Sequence, residues 1–320
     1  MRRAADLPWL PLLAVTLLGS IVLSFRVDQF LTSYNIFVIL QGAATYAVIG
    51  FAAMVVLVVR DISLAVGGIG AVSGVLFGWL VADQGMPVVP AAIIALVGGA
   101  VAGLANGLLI TRTKLNGFIV TLATGALLTG LAIGATKSAA FAGIPRSWTA
   151  FGQGRIWFFP LIGLVTAAVA AALFVLYRST RPGRAMLTAG GNPEAALLVG
   201  IDNSRQVVLA HVLSGVLAAI AALLTIGRIG SAPPDLGTDW VLISFAVPII
   251  GGTALAGGVL SVGGALVAAL VLAIIDNALV LLSVSPYGIV LAQGLLILVA
   301  ILLGNLSRIV RRRPRLQGAT

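Results

Sequence analysis

Charge is what this sequence has least of. Asp, Glu, Lys and Arg make up 9% of its 320 residues, while 60% are apolar. A soluble domain carries about 25% charged residues. So few cannot clothe a water-soluble fold of this length. That excludes a soluble enzyme and leaves a polytopic membrane protein. Cysteine is absent, which removes disulfides and thiolate metal sites. The one histidine, His211, cannot assemble a metal centre or a Ser/His/Asp triad, so no catalytic or metal-ligating residue is assigned. No G-x-x-x-x-G-K-[ST] phosphate loop occurs around Lys114 or Lys137, the only lysines. The chain carries neither an ATP site nor a cofactor. Its net charge of +10 reads as a topology signal and not as a nucleic-acid surface.

Apolar runs fall at 9–25, 36–59, 62–82, 88–110, 118–136, 157–177, 207–227, 241–257, 259–283 and 289–304. A helical span needs ~20 such residues. The runs are too long and too unalternating for barrel strands. They predict an all-α membrane protein of about ten spans in a single domain, 1–320. The first run reads as a span and not a signal peptide, because Arg26-Val-Asp-Gln follows it without a small-residue cleavage pattern. Ten spans put both termini on one side. Arg26, Lys137, Arg146, Arg155 and Arg228 then fall on the other side, and the remaining fourteen of the nineteen basic residues share the side of the termini. Basic residues mark the cytoplasmic face. The expected inner segments are 1–8, the loop 178–206 and the basic tail 305–320, in a bacterial-type inner membrane.

Several spans look broken. Arg60-Asp61 interrupts the second and third, and Pro248 with Gly251-Gly252 and Gly257-Gly258 interrupts the eighth. Breaks at membrane depth are tolerated where protein or a water-filled cavity satisfies the backbone. Glycines recur every four residues at Gly70, Gly74, Gly78 and at Gly99, Gly103, Gly107, stripes that let another backbone approach. A short echo sets Gly103–Leu109 against Ile274–Val280, and Asn106 against Asn277, as an inverted repeat would.

The loop from Thr180 carries the only long polar segment. Within it Asn192 is placed to cap a short helix, with Pro193 in its first turn and Glu194 at the positive end of its dipole. Gly183-Arg184, Ala189-Gly190-Gly191-Asn192, Ala195-Ala196 and Gly200-Ile201 resemble the cytoplasmic coupling loop of the ribose-type ABC importer permeases, G-R-x-x-x-A-x-G-G-N-x-x-A-A-x-x-x-G-I. Five further segments resemble the same family. Arg60–Gly68 is similar to the signature I-D-L-S-V-G-S, with Ser63 set on its aspartate and Ala65 on its serine. Gly103–Leu122 is similar to G-x-x-N-G-x-L-I-x-x-x-K-x-x-x-F-I-x-T-L. Ser231–Thr238 with Ile250–Gly258, and Val284–Tyr287, match late patterns. Where the family shows G-Y-E-L-D-A-I-A-A, this chain has Asp239–Val247, with Val241 and Ile243 at the two acidic positions.

The resemblance implies a type II ABC importer-like permease, with ATP and Mg held on partner ATPase subunits. It also implies an extracytoplasmic binding protein, a second permease copy (identical or related) and a sugar or similar small polar cargo. Gly190, Gly191, Asn192, Pro193, Glu194, Ala195, Ala196 and Gly200 are the expected coupling residues. Asn106, Thr121, Ser244, Thr253, Asp276 and Asn277 are the candidates for the path, since a polyol needs hydrogen-bonding groups along it. Interhelical bonding competes with that role at each position. Asp276 is a substrate ligand or the ion-pair partner of Arg228. His211 is expected to be neutral and packed. Trp148, Phe151 and Trp157 anchor the membrane interface or meet the binding protein. Branched-chain amino acids or nucleosides are alternative cargoes. An ion-coupled secondary transporter is the rival mechanism, and it would need a relay of membrane carboxylates beyond Asp276.

Overall fold

A computed structural model describes residues 10–285, 287–289, 291–295 and 298. The expected N-terminal segment 1–8, the basic tail 305–320 and most of the tenth run lie outside the described residues. The elements are α1 (Leu10–Arg26), α2 (Ser33–Leu57), α3 (Val66–Gly78), α4 (Val88–Thr113), α5 (Gly117–Thr136), α6 (Arg146–Gly152), the hairpin β1 (Arg155–Ile156) and β2 (Phe159–Pro160), α7 (Ile162–Ser179), α8 (Arg181–Gly191), α9 (Pro193–Leu198), α10 (Asn203–Ile229), α11 (Trp240–Ile250) and α12 (Val262–Leu281). A π turn, Trp79–Asp83, extends α3.

The fold is all-α apart from that hairpin, and the described residues account for only part of the expected ten spans. Among the described residues seven helices are long and apolar enough to cross a membrane: α2, α3 with its π turn, α4, α5, α7, α10 and α12. Helix α1 has 17 residues. Helix α11 has only 11, a half-span, because Pro248 lies inside it and Gly252 turns the chain at φ +90°. The run 62–82 becomes helical only at Val66.

Helix α2 is apolar on every face, and it is the centre of the bundle, buried from Ala47 to Val58. A helix without a polar face must be surrounded by others. It packs along α12 and against α10, α11 and α7. Helix α4 in turn packs along α10, where Gly99, Gly103 and Gly107 let the backbones touch. A Cβ at Gly103 would strike the His211 carbonyl, and one at Gly99 the Gly215 carbonyl. The glycine stripe is therefore a packing seam.

The internal echo corresponds to a structural exchange. Helix α2 pairs with α12 as α10 pairs with α4, and α11 lies on α2 as α3 lies on α10. Helix α2 ends beside the α8–α9 junction, where Val58 meets Gly258 and Gly190, whereas α10 begins just after α9. The two halves thus run in opposite directions. Asn106 and Asn277 lie on α4 and α12, the two helices the exchange swaps.

On the side away from α9, the segment 141–160 folds back onto the bundle. Trp148 Nε1 donates to the Leu223 carbonyl at 3.1 Å, and its ring lies 5.6 Å from those of Phe77 and Phe151. Trp148 is a packing residue, whereas Trp157 is exposed.

Candidate functional site

The polar loop folds into two helices, because each start has a cap. Thr180 Oγ1 accepts from Gly183 N at 3.2 Å to open α8. Asn192 Oδ1 accepts from Ala195 N at 3.1 Å to open α9, with Pro193 in its first turn and Glu194 beside it. Gly200, at φ +79°, ends the excursion, and Asp202 caps α10 through Ser204 N at 2.9 Å. Asn203 Nδ2 donates to the Pro193 carbonyl at 2.9 Å, tying α9 to α10.

The expected coupling residues divide by exposure. Asn192, Glu194, Ala195 and Gly200 are exposed and Pro193 is half-exposed. Ala196 is fully buried, and a Cβ at Gly190 would collide with the Val58 carbonyl. Gly191 lies against Gly258. Gly190 and Ala196 therefore hold α9 in place and touch no partner. Three residues absent from the expected set stand at the tip: Leu197, Leu198 (89% exposed) and Val199. Their signal was in the sequence, a Leu-Leu-Val run inside a polar loop.

From this junction an extended strap, Asp61–Ala65, leads into α3. His211 Nε2 and Asp61 Oδ2 lie 3.0 Å apart, at hydrogen-bond distance. Asp61 Oδ1 accepts from Ile62 N at 2.8 Å. Leu64 N donates to Thr121 Oγ1 at 3.0 Å, and that hydroxyl donates to the Gly117 carbonyl at 2.6 Å. The expected lone, packed histidine is thus a partnered one.

The strap ends where the starts of α3 and α11 meet. The first turn of α3 abuts the turn that leads into α11. A Cβ on Gly67 would overlap the Gly237 carbonyl, and Gly237 sits at φ +90°. Gly68 lies against Gly125, two turns into α5 and ~12 Å past its start. Two helix starts therefore converge near mid-depth, a construction transporters use around their cargo.

The six path candidates do not form one site. Thr121 is occupied in holding the strap. Ser244 Oγ donates to the Val241 carbonyl at 2.9 Å. Asn277 and Asn35 exchange two amide bonds, of 2.9 and 2.8 Å. These three bond internally. Asn106 Nδ2 and Thr253 Oγ1 are buried with no hydrogen-bond partner among the described residues. Asp276 differs from all of them. Tyr46 Oη donates to its Oδ2 at 2.6 Å and Gln293 Nε2 to its Oδ1 at 2.9 Å. No salt bridge joins it to Arg228 among the described residues, so the expected ion pair is replaced by this triad. Helical spacing sets depth but not which face a side chain takes, and Asp276 faces α2. A cavity of about 10 Å³, room for one water, adjoins it between Leu242, Ala246 and Leu272. Among the described residues no group of three His, Cys, Asp or Glu could hold a metal.

Residues 34–301 match the family described as branched-chain amino acid transport system / permease component. The chain belongs to this family. It is a multi-pass transport permease, which sets aside the ion-coupled secondary transporter. It is 34% identical over 285 residues to the ribose import permease protein RbsC of Bacillus subtilis, covering 88% of each chain. It is 31% identical over 312 residues to the RbsC of Escherichia coli K12, covering 95% of this chain and 97% of the relative. The D-allose transport system permease protein AlsC of Escherichia coli K12 is 30% identical over 283 residues, covering 88% and 87%. No solved structure matches.

Proposed function

We propose that this permease carries a sugar, or a molecule of like size and hydroxyl density, as the membrane subunit of an ATP-driven importer. The observation that carries the ATP-driven part is α9, an apolar tip presented on a tightly tied helix at the strongly basic end of the bundle. Arg60, Arg112, Lys114, Arg178, Arg181, Arg184 and Arg205 lie at that end, and Lys137, Arg146, Arg155 and Arg228 at the other. ATPase subunits holding ATP and Mg dock on α9 in the cytoplasm. A binding protein delivers cargo on the opposite face, and a second permease copy completes the path. Both termini are cytoplasmic. The sugar reading rests on relatives named for ribose, galactose and D-allose.

Asp276 is the group best suited to that cargo. An unpaired carboxylate within a span is expensive and is retained for function. Tyr46 and Gln293 each use one of its lone pairs, and others remain to accept sugar hydroxyls. Asp276→Leu is expected to cut uptake in proteoliposomes at least tenfold, since a site built for hydroxyls loses ~1.5–3 kcal/mol with a charged acceptor. Asp276→Asn, which keeps one acceptor, should fall between. The panel is D-ribose, D-galactose and D-allose, each with the receptor. Wild-type uptake by Asp276→Leu would remove Asp276 from the path.

Topology has its own check. Reporter fusions after Gln153 and after Thr320 should report opposite compartments. The same compartment for both would overturn this topology.

A further inference from the structure

We infer that Arg60 is the latch through which the docked ATPase moves α3 and α11. This rests on the reading of α9 as the docking helix. Arg60 sits at φ +64°, a left-handed conformation rare for a residue with a side chain. Such a residue persists only when its surroundings hold it there. Its Nε donates to the Ala256 carbonyl at 2.7 Å and its Nη2 to the Gly191 carbonyl at 3.1 Å. Beside it Gly258 N donates to the Val58 carbonyl at 2.8 Å.

One side chain thereby ties three segments that are distant in sequence. The first is the end of α2, with the strap to α3. The second is the last residue of α8, one residue before the cap of α9. The third is the loop that follows α11. The Gly191 carbonyl is among the last of α8, which have no partner inside the helix, so a cation there is well placed. A guanidinium suits the task because its rigid planar fork holds two donors in fixed directions, whereas an ammonium's three donors rotate at the end of a flexible stem.

The geometry makes the latch a transmitter. Helix α3 hangs from Arg60 through the strap, pinned by Asp61–His211 and by Thr121. Helix α11 is held at its other end by the Ala256 bond. The strap leads from the latch to Gly67 in the first turn of α3, and α11 leads back from the loop after it to the contact with Gly237. A displacement of α9 therefore acts on both helices through Arg60.

The test uses the complete complex of permease, ATPase and receptor in proteoliposomes. The chain has no cysteine, so a single Thr238→Cys at the exposed turn before α11 reports the contact by maleimide labelling. With Arg60 in place, ATP should change the labelling rate. With Arg60→Gln, the ATPase should stay bound at the wild-type level and hydrolyse ATP. Uptake per ATP should nevertheless fall about tenfold, within the 5–150-fold range of allosteric coupling, and the labelling response should vanish. Arg60→Lys keeps the charge but gathers its donors on one nitrogen without the planar fork, and should show the same loss in smaller measure. It carries the test if the glutamine variant fails to insert. Wild-type uptake per ATP with an intact labelling response overturns the latch. Loss of the ATPase from Arg60→Gln also overturns it, because Arg60 would then merely support docking. If the ATPase remains bound when Leu198 is replaced by Asp, the docking reading fails, independently of the latch.

Discussion

Leu198→Asp is expected to abolish transport while the permease remains folded and inserted. Leu198 is 89% exposed, so nothing inside the bundle depends on it. With Leu197 and Val199 it forms an apolar tip at the last turn of a helix that is itself firmly held. Burying a leucine against a partner contributes ~1.5–3 kcal/mol. Setting a carboxylate in that contact costs more, because the charge loses its water without gaining a partner. A loss of ~3 kcal/mol weakens binding about a hundredfold. Pull-down of the ATPase should fail, while the external binding protein still associates. Leu198→Ala should weaken capture without abolishing it. Normal uptake by Leu198→Asp would show that α9 is a linker and that the ATPase grips elsewhere.

Gly103→Val is expected to destabilise the bundle more than any other single change along α4. The new Cβ meets the His211 carbonyl and the Val212 Cα, which are backbone and have no rotamer to turn away. Overpacking typically costs ~1–3 kcal/mol, and more where neighbours cannot move. Parting α4 from α10 would also disturb the His211–Asp61 bond and, with it, the strap. Gly134→Val on α5 is the control, since nothing lies within 4 Å of a Cβ there. In thermal unfolding of the purified protein, Gly103→Val should melt well below Gly134→Val. Equal midpoints would mean that the seam is loose enough to absorb a side chain.

Much of the architecture is written locally. The apolar runs mark the spans, because any backbone in lipid must bond within its own segment. The capped start of α9 is local too, since Asn192, Pro193 and Ala195 are near neighbours in the chain. The stripe at Gly99, Gly103 and Gly107 announces a close contact on α4, because the four-residue spacing keeps one face of the helix bare. None of these signals names the opposing helix.

The site was less legible. Exposure separates Gly190 and Ala196, which brace the loop, from Leu198, which faces outward, although all of them lie within the same short stretch. Thr121 and Asn277 have the right chemistry for cargo but are spent on Leu64 and Asn35. Asp276 was recognisable as the intramembrane carboxylate of the late chain. Its partners Tyr46 and Gln293 come from other helices, and no spacing rule brings them together.

The sequence by itself determined that the chain is an all-helical membrane protein, which of its ends is basic, and where a polar loop presents a capped helix. These follow from composition and from interactions within a turn or two. Only the tertiary structure decided that α11 is a half-span and that the starts of α3 and α11 meet at Gly67 and Gly237. It also decided that Asp61 belongs to His211, and that Arg60 joins the end of α2 to α8 and to the loop after α11. Those arrangements depend on how helices are rotated and ordered around one another. That order is set by many weak contacts between residues far apart in the chain, which periodicity cannot register.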